Sequence, residues 1–183
     1  PELALRAEII REKGTDRSRF FRGEVDKYTW QEVGSSFLPG ELIAAFLWAQ
    51  LEEAERITND RLASWGRYHE LLEPLEAKGI LRRPVIPEAC QHNAHMYYVL
   101  LAPETDRQGV LNELKRNGIY SVFHYVPLHS SPAGQRYGRV HGSLEITARQ
   151  SERLIRLPLW MGLSLESQER VVVQLGSSLA VAD

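Results

Sequence analysis

Histidines occur in pairs along the C-terminal half of the sequence. His92 and His95 are three residues apart, and His124 and His129 are five residues apart. Imidazole nitrogens bind zinc, so two such pairs could form a metal site. However, His95 and His124 fall within predicted strands, where neighbouring side chains alternate between faces, and no carboxylate or thiol completes a recognised spacing. The sequence therefore predicts no metal site.

The segment Val122–His129 combines several hydrogen-bonding side chains at the end of a predicted strand. The strand carries His124 and Tyr125 to its end, a proline turns the chain, and His129 follows. Two imidazoles and a phenol offer donors that suit phosphate or sugar hydroxyl groups. The alternative is that Phe123 and Tyr125 pack in a core beside histidines with protein partners. The residues alone favour neither interpretation.

Basic side chains cluster near the N-terminus, at Arg17, Arg19, Arg22 and Lys27. Guanidinium groups pair bidentately with phosphate oxygens, so this cluster could bind a diphosphate. Ordinary charged side chains on a surface loop are more common, and the residues alone favour that alternative.

Three small residues, Gly34, Ser35 and Ser36, come just before a long predicted helix. Backbone N–H groups and hydroxyls beside a helix N-terminus can bind an anion, because the helix dipole favours negative charge there. A simple capping turn explains the same residues equally well.

The motifs of the sequence do not include a convincing catalytic nucleophile. There is no Gly-x-Ser-x-Gly elbow and no phosphate-binding P-loop, and no pattern gives Cys90 a histidine–aspartate partner. The lysines lie in charged or helix-end contexts, whereas a lysine that forms a Schiff base needs a lowered pKa. Lys27, between Asp26 and Tyr28, is the weak exception.

The composition is that of an ordinary globular chain. Its 183 residues are 43% hydrophobic and 25% charged, with a net charge of −2, which argues against disorder and against general nucleic-acid binding. No apolar run approaches the roughly 20 residues that span a bilayer, and the charged N-terminus does not resemble a signal peptide. A single cysteine predicts no disulfide framework and a cytoplasmic location. Because the chain begins at Pro1 inside a predicted helix, we expect it to be part of a longer protein.

Apolar periodicity predicts helices beside a small sheet. A helix over 2–13 precedes an irregular stretch over 15–40 and a long linking helix or helix pair over 39–79, with a break near 58–59. Strands are expected at 83–86, 95–102, 120–126 and 155–157, and further helices at 106–117, 148–154 and 165–179. This order predicts a small α+β sandwich with helices on one side of a mixed sheet.

Several motifs follow one another in an order that is known from an enzyme family. They are Tyr28, Gly34–Phe37, Ala44–Leu51, His95–Val99, Phe123–His129 and Ser151–Leu159. With these motifs the chain resembles, over essentially all of its length, the nucleotide-sugar aminotransferases of the DegT–DnrJ type. The resemblance implies the α/β fold of type I transferases that depend on pyridoxal 5′-phosphate (PLP).

The resemblance also implies that this chain is the C-terminal portion of such an enzyme. Residues 1–38 would form the edge of the large PLP-binding domain, residues 39–79 the linking helix or helix pair, and residues 80–183 the small α+β domain. The Schiff-base lysine would lie upstream, so this chain alone would be inactive. The intact enzyme would transfer an amino group, from glutamate, to C4 of a dTDP-4-keto-6-deoxyhexose, in deoxysugar biosynthesis for cell-surface polysaccharide.

Residue roles carry over from the family in part. Most relatives have Gly-x-Asn-x-Arg ahead of the long helix, and the asparagine reaches the cofactor phosphate of the neighbouring subunit. Here Ser36 replaces the asparagine and Leu38 the arginine, so Ser36 and Ser35 are the candidates for binding PLP. The resemblance gives these candidate substrate-binding residues: His124, Tyr125, His129, Tyr28, Lys27 and Arg22.

The placement of the Gly34–Ser36 loop predicts a homodimer whose active sites are shared across the interface. Two alternatives to the aminotransferase stay open. One is a PLP-dependent dehydratase of the same family, in which histidine replaces the lysine. The other is a non-catalytic module that binds a nucleotide sugar or a protein partner.

Overall fold

Helices predominate in the computed structural model, which describes residues 2–180. The helices are α1 (Glu2–Arg11), α2 (Arg17–Phe21), α3 (Glu41–Glu52), α4 (Ala54–Leu71), α5 (Glu73–Ala77), α6 (Arg107–Arg116), α7 (Pro132–Tyr137), α8 (Glu145–Arg153) and α9 (Leu165–Ala180). The strands are β1 (Leu81–Arg82), β2 (Tyr97–Leu101), β3 (Val122–Phe123) and β4 (Leu154–Leu157). The chain divides into two compact units, Pro1–Glu53 and Ala54–Asp183.

The end of α1 in the N-terminal unit requires glycine at two positions. Lys13 and Gly14 have φ angles of 63° and 78°, so the chain turns through the left-handed region there. A Cβ atom on Gly14 would lie 1.8 Å from the carbonyl oxygen of Glu32, and one on Gly34 would lie 1.9 Å from the nitrogen of Gly14. The two backbones therefore pass each other at a distance that no side chain permits.

Hydrogen bonds hold the 29–36 segment beside α1. Ser35 donates its backbone N–H to the carbonyl of Ile10 at 2.8 Å. The buried carboxylate of Asp16 accepts from the backbone N–H of Thr29 at 2.6 Å and from the side-chain amide of Gln31 at 3.2 Å. Asp16 thus satisfies donors in a stretch that has no regular secondary structure of its own.

Helix α3 leaves its apolar side chains uncovered. Leu42, Phe46 and Trp48 are 88%, 70% and 68% exposed, and no residue of α3 is buried. Helix α4 follows after Glu53, so the predicted break near residues 58–59 is wrong. Thr58 costs a helix only a few tenths of a kcal/mol, and the burial of Ser64 and Tyr68 further along α4 offsets that cost.

The sheet of the C-terminal unit has the strand order β1-β2-β4-β3, and every pairing is antiparallel. The predicted mixed sheet is therefore corrected, although the fold class, a helix-rich α/β fold, is as expected. The connection from β2 through α6 to β3 is one that usually joins neighbouring parallel strands. Here β4 lies between them and runs against both, which the order of strands along the chain does not show.

The register of β2 and β4 defines the core. Tyr97 pairs with Leu157 and Val99 pairs with Ile155, and all four side chains are buried. Helices α4, α6 and α9 add apolar side chains to the same core cluster: Tyr68, Leu72, Val110, Leu111, Leu114, Val171, Leu175 and Leu179. The alternation of buried and half-buried residues along β2 and β4 follows from this packing.

One predicted strand is wrong in position and another is shorter than predicted. The expected strand over 83–86 is instead β1, because the backbone N–H of Arg83 donates to the carboxylate of Glu76 at 2.7 Å. The expected strand over 120–126 contains only Val122 and Phe123 as paired residues. Beyond the proline at 127 a 3-10 turn, Leu128–Ser130, leads into α7.

A polar contact joins α4 to α9 inside the C-terminal unit. Gln168 is fully buried, and its amide donates to the backbone carbonyl of Ser64 at 2.7 Å. Arg67 donates to the Gln168 side-chain oxygen at 2.6 Å and to the carbonyl of Leu163 at 3.1 Å. Each of these polar atoms therefore has a partner in a region from which water is excluded.

Candidate functional site

Ser36 lies at a cavity of about 440 Å³ in the N-terminal unit. Its backbone forms an isolated bridge with Glu12, and the preceding Ser35 accepts from the backbone N–H of Lys13 at 3.3 Å. The loop is therefore fixed by its backbone, and Ser36 itself is exposed. The cavity is lined by Arg11, Glu12, Lys13, Thr15, Arg17, Tyr28, Ser36, Leu38, Pro39, Gly40 and Glu41.

The donors around this cavity fit a phosphate group. Arg11, Lys13 and Arg17 are cationic, and Ser36 adds a hydroxyl that can donate to a phosphate oxygen. Arg11 contacts Glu12 at 3.4 Å, and the Arg17 guanidinium lies 5.1 Å from the centre of the Phe21 ring. Neither contact is a buried bidentate pair, so both side chains keep donors for an anion. Glu12 and Glu41 also line the cavity, but the three cations outnumber these two carboxylates, so the residues present suit the phosphate of PLP.

Arg22 lies outside the residues that line this cavity. Its guanidinium binds both carboxylate oxygens of Glu8, at 2.6 and 3.0 Å, and Glu24 at 2.6 Å. The hydrogen bonds to Glu8 and Glu24 raise the pKa of Arg22, and the same bonds lower the pKa of each carboxyl group. Lys27 is exposed and also outside the lining residues, so the structure brings Tyr28 to Ser36 but neither Arg22 nor Lys27.

His124 and Tyr125 share a second cavity, of about 250 Å³, in the C-terminal unit. Their ring centres are 5.4 Å apart in an edge-to-face arrangement. Arg107 donates to the carbonyl of Ser151 at 2.5 Å and lies over the ring of Phe123, which fixes one wall. The lining residues are Arg107, Phe123, His124, Tyr125, Val126, Pro127, Ser130, Ala148, Ser151 and Glu152. His129 lies on the 3-10 turn and is not among them.

Two residues near these cavities were missed by sequence reasoning. Asp16 holds the 29–31 segment, but a lone acidic residue before a short helix gives no distinctive signal. Arg156 has a buried Nε atom without a hydrogen-bond partner among residues 2–180. The sequence did carry a signal for Arg156, because an arginine inside the apolar strand Leu154–Leu157 is uncommon.

Histidines 69 and 92 meet in a third cavity of about 500 Å³, which Glu76 and Arg83 also line. The Trp65 ring stacks on His69 with 4.8 Å between centres and lies 4.6 Å from His92. The Tyr97 hydroxyl is 3.3 Å from Nδ1 of His69. Burial, followed by the charge of Arg83, lowers the pKa of His69.

Within residues 2–180, no three histidine, cysteine, aspartate or glutamate side chains gather as a ligand set for a metal ion. None of the helices described there has the length and apolar character needed to cross a bilayer.

Solved structures named as aminotransferases share this fold. The aminotransferase TlmJ of Streptoalloteichus hindustanus is 26% identical and superimposes with a TM-score of 0.81, covering 100% of this chain and 46% of TlmJ. The PLP form of Spr1654 of Streptococcus pneumoniae, a protein named as a sugar aminotransferase, superimposes with a TM-score of 0.77 at 18% identity. That match covers 96% of this chain and 43% of Spr1654, and it shows the fold alone.

The sequence model of the DegT/DnrJ/EryC1/StrS aminotransferase family matches residues 1–176. The chain therefore belongs to this family, which implies dependence on PLP. A curated relative from Saccharopolyspora spinosa, dTDP-4-dehydro-2,3,6-trideoxy-D-glucose 4-aminotransferase, is 28% identical over 137 residues, covering 72% of this chain and 35% of the relative. The chain thus spans less than half the length of the relatives that it matches.

The close approach of the Gly14 and Gly34 backbones is tested by the substitution Gly34→Ala. We expect amide hydrogen exchange at Gly14, Gln31 and Ser35 to become at least about tenfold faster, because a Cβ atom 1.9 Å from the Gly14 nitrogen separates the two backbones. Gly40→Ala is the matched control, since a Cβ atom there meets nothing within 4 Å. Equal exchange rates in the two variants would contradict the proposed constraint.

The histidine cavity predicts a pH-dependent stability. The pKa of His69 lies below its usual 6.5 in the folded chain, so between these two values the unfolded chain binds more protons. The free energy of unfolding should therefore be highest above pH 6.5 and should fall as the pH decreases from 6.5 to the pKa of His69 in the folded chain. Glu76, whose pKa is lowered from 4.5, acts only at more acidic pH.

Urea unfolding at about pH 7.5 and about pH 5.5 measures this effect. We expect His69→Gln to lose less stability than the unchanged chain over that interval. His141→Gln, at an exposed histidine, should keep the dependence of the unchanged chain. A His69→Gln variant with an unaltered pH dependence would show that another group is responsible.

Proposed function

We propose that the intact protein containing this chain is a PLP-dependent aminotransferase that acts on a nucleotide sugar. The observation that carries the proposal is the family match over residues 1–176. Residues 1–38 belong to the edge of the large PLP-binding domain, residues 39–79 form the linking helices, and residues 80–183 form the small domain. The Schiff-base lysine lies upstream of these residues, so the chain alone is inactive.

The cofactor site uses the loop that the two glycines hold in place. Ser36, assisted by Ser35, donates to the phosphate of PLP, and the cationic side chains that line the same cavity balance its charge. PLP supplies an electron sink that lets an amino group move between an amino acid and a ketone. The substitution of asparagine by serine in this family motif keeps one donor and removes one, so we expect Ser36 to bind only through its hydroxyl.

The substrate is a dTDP-4-keto-6-deoxyhexose that receives the amino group at C4, with glutamate as the donor. Similarity of the segments Lys27–Trp30, Gly34–Ser36 and Val122–His129 to dTDP-4-amino-4,6-dideoxygalactose transaminase supports this choice. The Saccharopolyspora relative, whose name gives a 4-aminotransferase of a dTDP-sugar, supports C4 as the site of transfer. The substrate-binding residues in this proposal are His124, Tyr125, His129, Tyr28, Lys27 and Arg22.

Transfer of labelled nitrogen tests the reaction. The intact protein, supplied with PLP, 15N-glutamate and a dTDP-4-keto-6-deoxyhexose, should yield 2-oxoglutarate and a dTDP-aminosugar that carries the label. Cys90→Ser, at an exposed residue outside the three cavities, should react like the unchanged protein. A dehydrated sugar without label would establish the dehydratase alternative, and binding of the sugar without any reaction would establish the non-catalytic module.

The intact protein forms a homodimer whose two active sites each use residues of both subunits. The uncovered apolar side chains of α3 support association, since exposed apolar surface of this kind marks contact with further protein. The Gly34–Ser36 loop is the part that reaches the neighbouring subunit's cofactor in this proposal.

Mixed dimers test the shared sites. One variant of the intact protein lacks the upstream lysine, and a second carries Ser36→Asp, which places a negative charge beside the cofactor phosphate. Each should be inactive alone, and mixing them should restore up to about a quarter of the activity, because one site of a mixed dimer then has both intact residues. A mixture of the lysine variant with Ser143→Asp, at an exposed serine, controls for the effect of charge. No recovery in mixtures that exchange subunits would contradict shared sites.

A further inference from the structure

Three buried side-chain atoms have no hydrogen-bond partner within residues 2–180: Oγ of Ser121, Nδ1 of His124 and Nε of Arg156. Buried polar atoms are almost always paired, and an unpaired atom of a charged group is the costlier exception. All three lie on β4 or beside β3, which is the edge strand of the small sheet. Their concentration in one place needs an explanation that packing does not supply.

Strand alternation, extended one residue past the end of β3, assigns two of the three residues to the same face of the sheet. Val122 pairs directly with Arg156, and His124 is two residues beyond Val122. This extension makes His124 the diagonal neighbour of Arg156, and diagonal neighbours in an antiparallel pair are typically about 7–8 Å apart, which an arginine side chain spans easily. The same alternation assigns Ser121 to the opposite face, where the buried core residues lie.

Arg156 differs from the other half-buried arginines of the C-terminal unit. Arg107 donates to the carbonyl of Ser151, Arg153 to the carbonyl of Leu101 at 2.7 Å, and Arg67 to Gln168. Each of them therefore holds the fold together. Arg156 forms no such contact with the described residues, so its donors are left for a group that is not part of this stretch of chain.

We propose that Arg156 and His124 together bind a phosphate oxyanion of the nucleotide diphosphate in the sugar substrate. This proposal rests on the proposed function and adds a role for Arg156, which lies within the Ser151–Leu159 motif but had been assigned none. Guanidinium donors match phosphate oxygens in geometry and charge, and the imidazole adds one further donor.

The composition of the neighbouring cavity favours a nucleotide sugar over the phosphate of PLP. Glu152 lines the His124 cavity, and Tyr125 lies beside it. A carboxylate accepts from hydroxyl groups, so this cavity suits a ligand that carries hydroxyls next to its phosphates. A nucleotide diphosphate joined to a hexose carries both groups on one molecule.

Binding to the purified intact protein tests the proposal by calorimetry with four probes: dTDP, thymidine, inorganic pyrophosphate and pyridoxamine 5′-phosphate. We expect Arg156→Gln to weaken the binding of dTDP and of pyrophosphate at least about tenfold. The affinities for thymidine and for pyridoxamine 5′-phosphate should stay unchanged. Arg156→Lys should recover part of the loss. Arg149→Gln, which removes the same charge at an exposed position of α8, should bind like the unchanged protein.

Thermal unfolding distinguishes a binding role from a structural one. Because the Nε atom of Arg156 has no hydrogen-bond partner within residues 2–180, and glutamine keeps part of the aliphatic stem, Arg156→Gln should lower the Tm only slightly. A large decrease in Tm together with uniform weakening of all probes would overturn the proposal, as would undiminished dTDP binding. Selective weakening of pyridoxamine 5′-phosphate would overturn the assignment to the nucleotide. If dTDP fails to bind the unchanged protein, this proposal fails, while the 15N experiment decides the proposed function independently.

Discussion

The antiparallel pairing of β2 with β4 is the constraint on which the C-terminal unit depends. Tyr97 and Val99 on one strand meet Leu157 and Ile155 on the other, and the helices close over these four side chains. Because side chains alternate along a strand, burying Ile155 and Leu157 necessarily turns Arg156 to the opposite face. The core thus determines where a charged residue is presented, and a slip of one residue in register would bury the arginine and expose the core.

A different constraint, the close approach of two glycines, shapes the N-terminal unit. Gly14 and Gly34 bring the end of α1 against the loop that carries Ser35 and Ser36, and Asp16 supplies the hydrogen bonds that an irregular segment needs. The loop can be irregular and still be fixed because its polar backbone groups are satisfied. A rigid loop of this kind can present a hydroxyl to a phosphate without an entropic cost at the moment of binding.

The side chains without partners point to contacts beyond the described chain, and they do so in two ways. Apolar exposure on α3, which includes Leu42, Phe46 and Trp48, calls for further protein surface, since water solvates such residues poorly. Unpaired polar atoms at His124 and Arg156 call for a ligand with complementary charge, since a buried donor without an acceptor is costly. The proposed dimer would cover the first feature, and the proposed nucleotide-sugar substrate would supply partners for the second.

The sequence alone determined the elements that depend on local periodicity and on distinctive motifs. It predicted α6, α9 and the long helical stretch up to Gly79, and it placed His124 and Tyr125 where a strand ends, because each signal lies within a few neighbouring residues. The pairing order of the strands, the break at Glu53 and the separation of Arg22 from the Ser36 cavity were decided by the tertiary structure. Those features depend on which distant residues compete for the same partner. Glu8 takes the donors of Arg22, and β4 takes the place beside β2, and no spacing along the chain records either outcome.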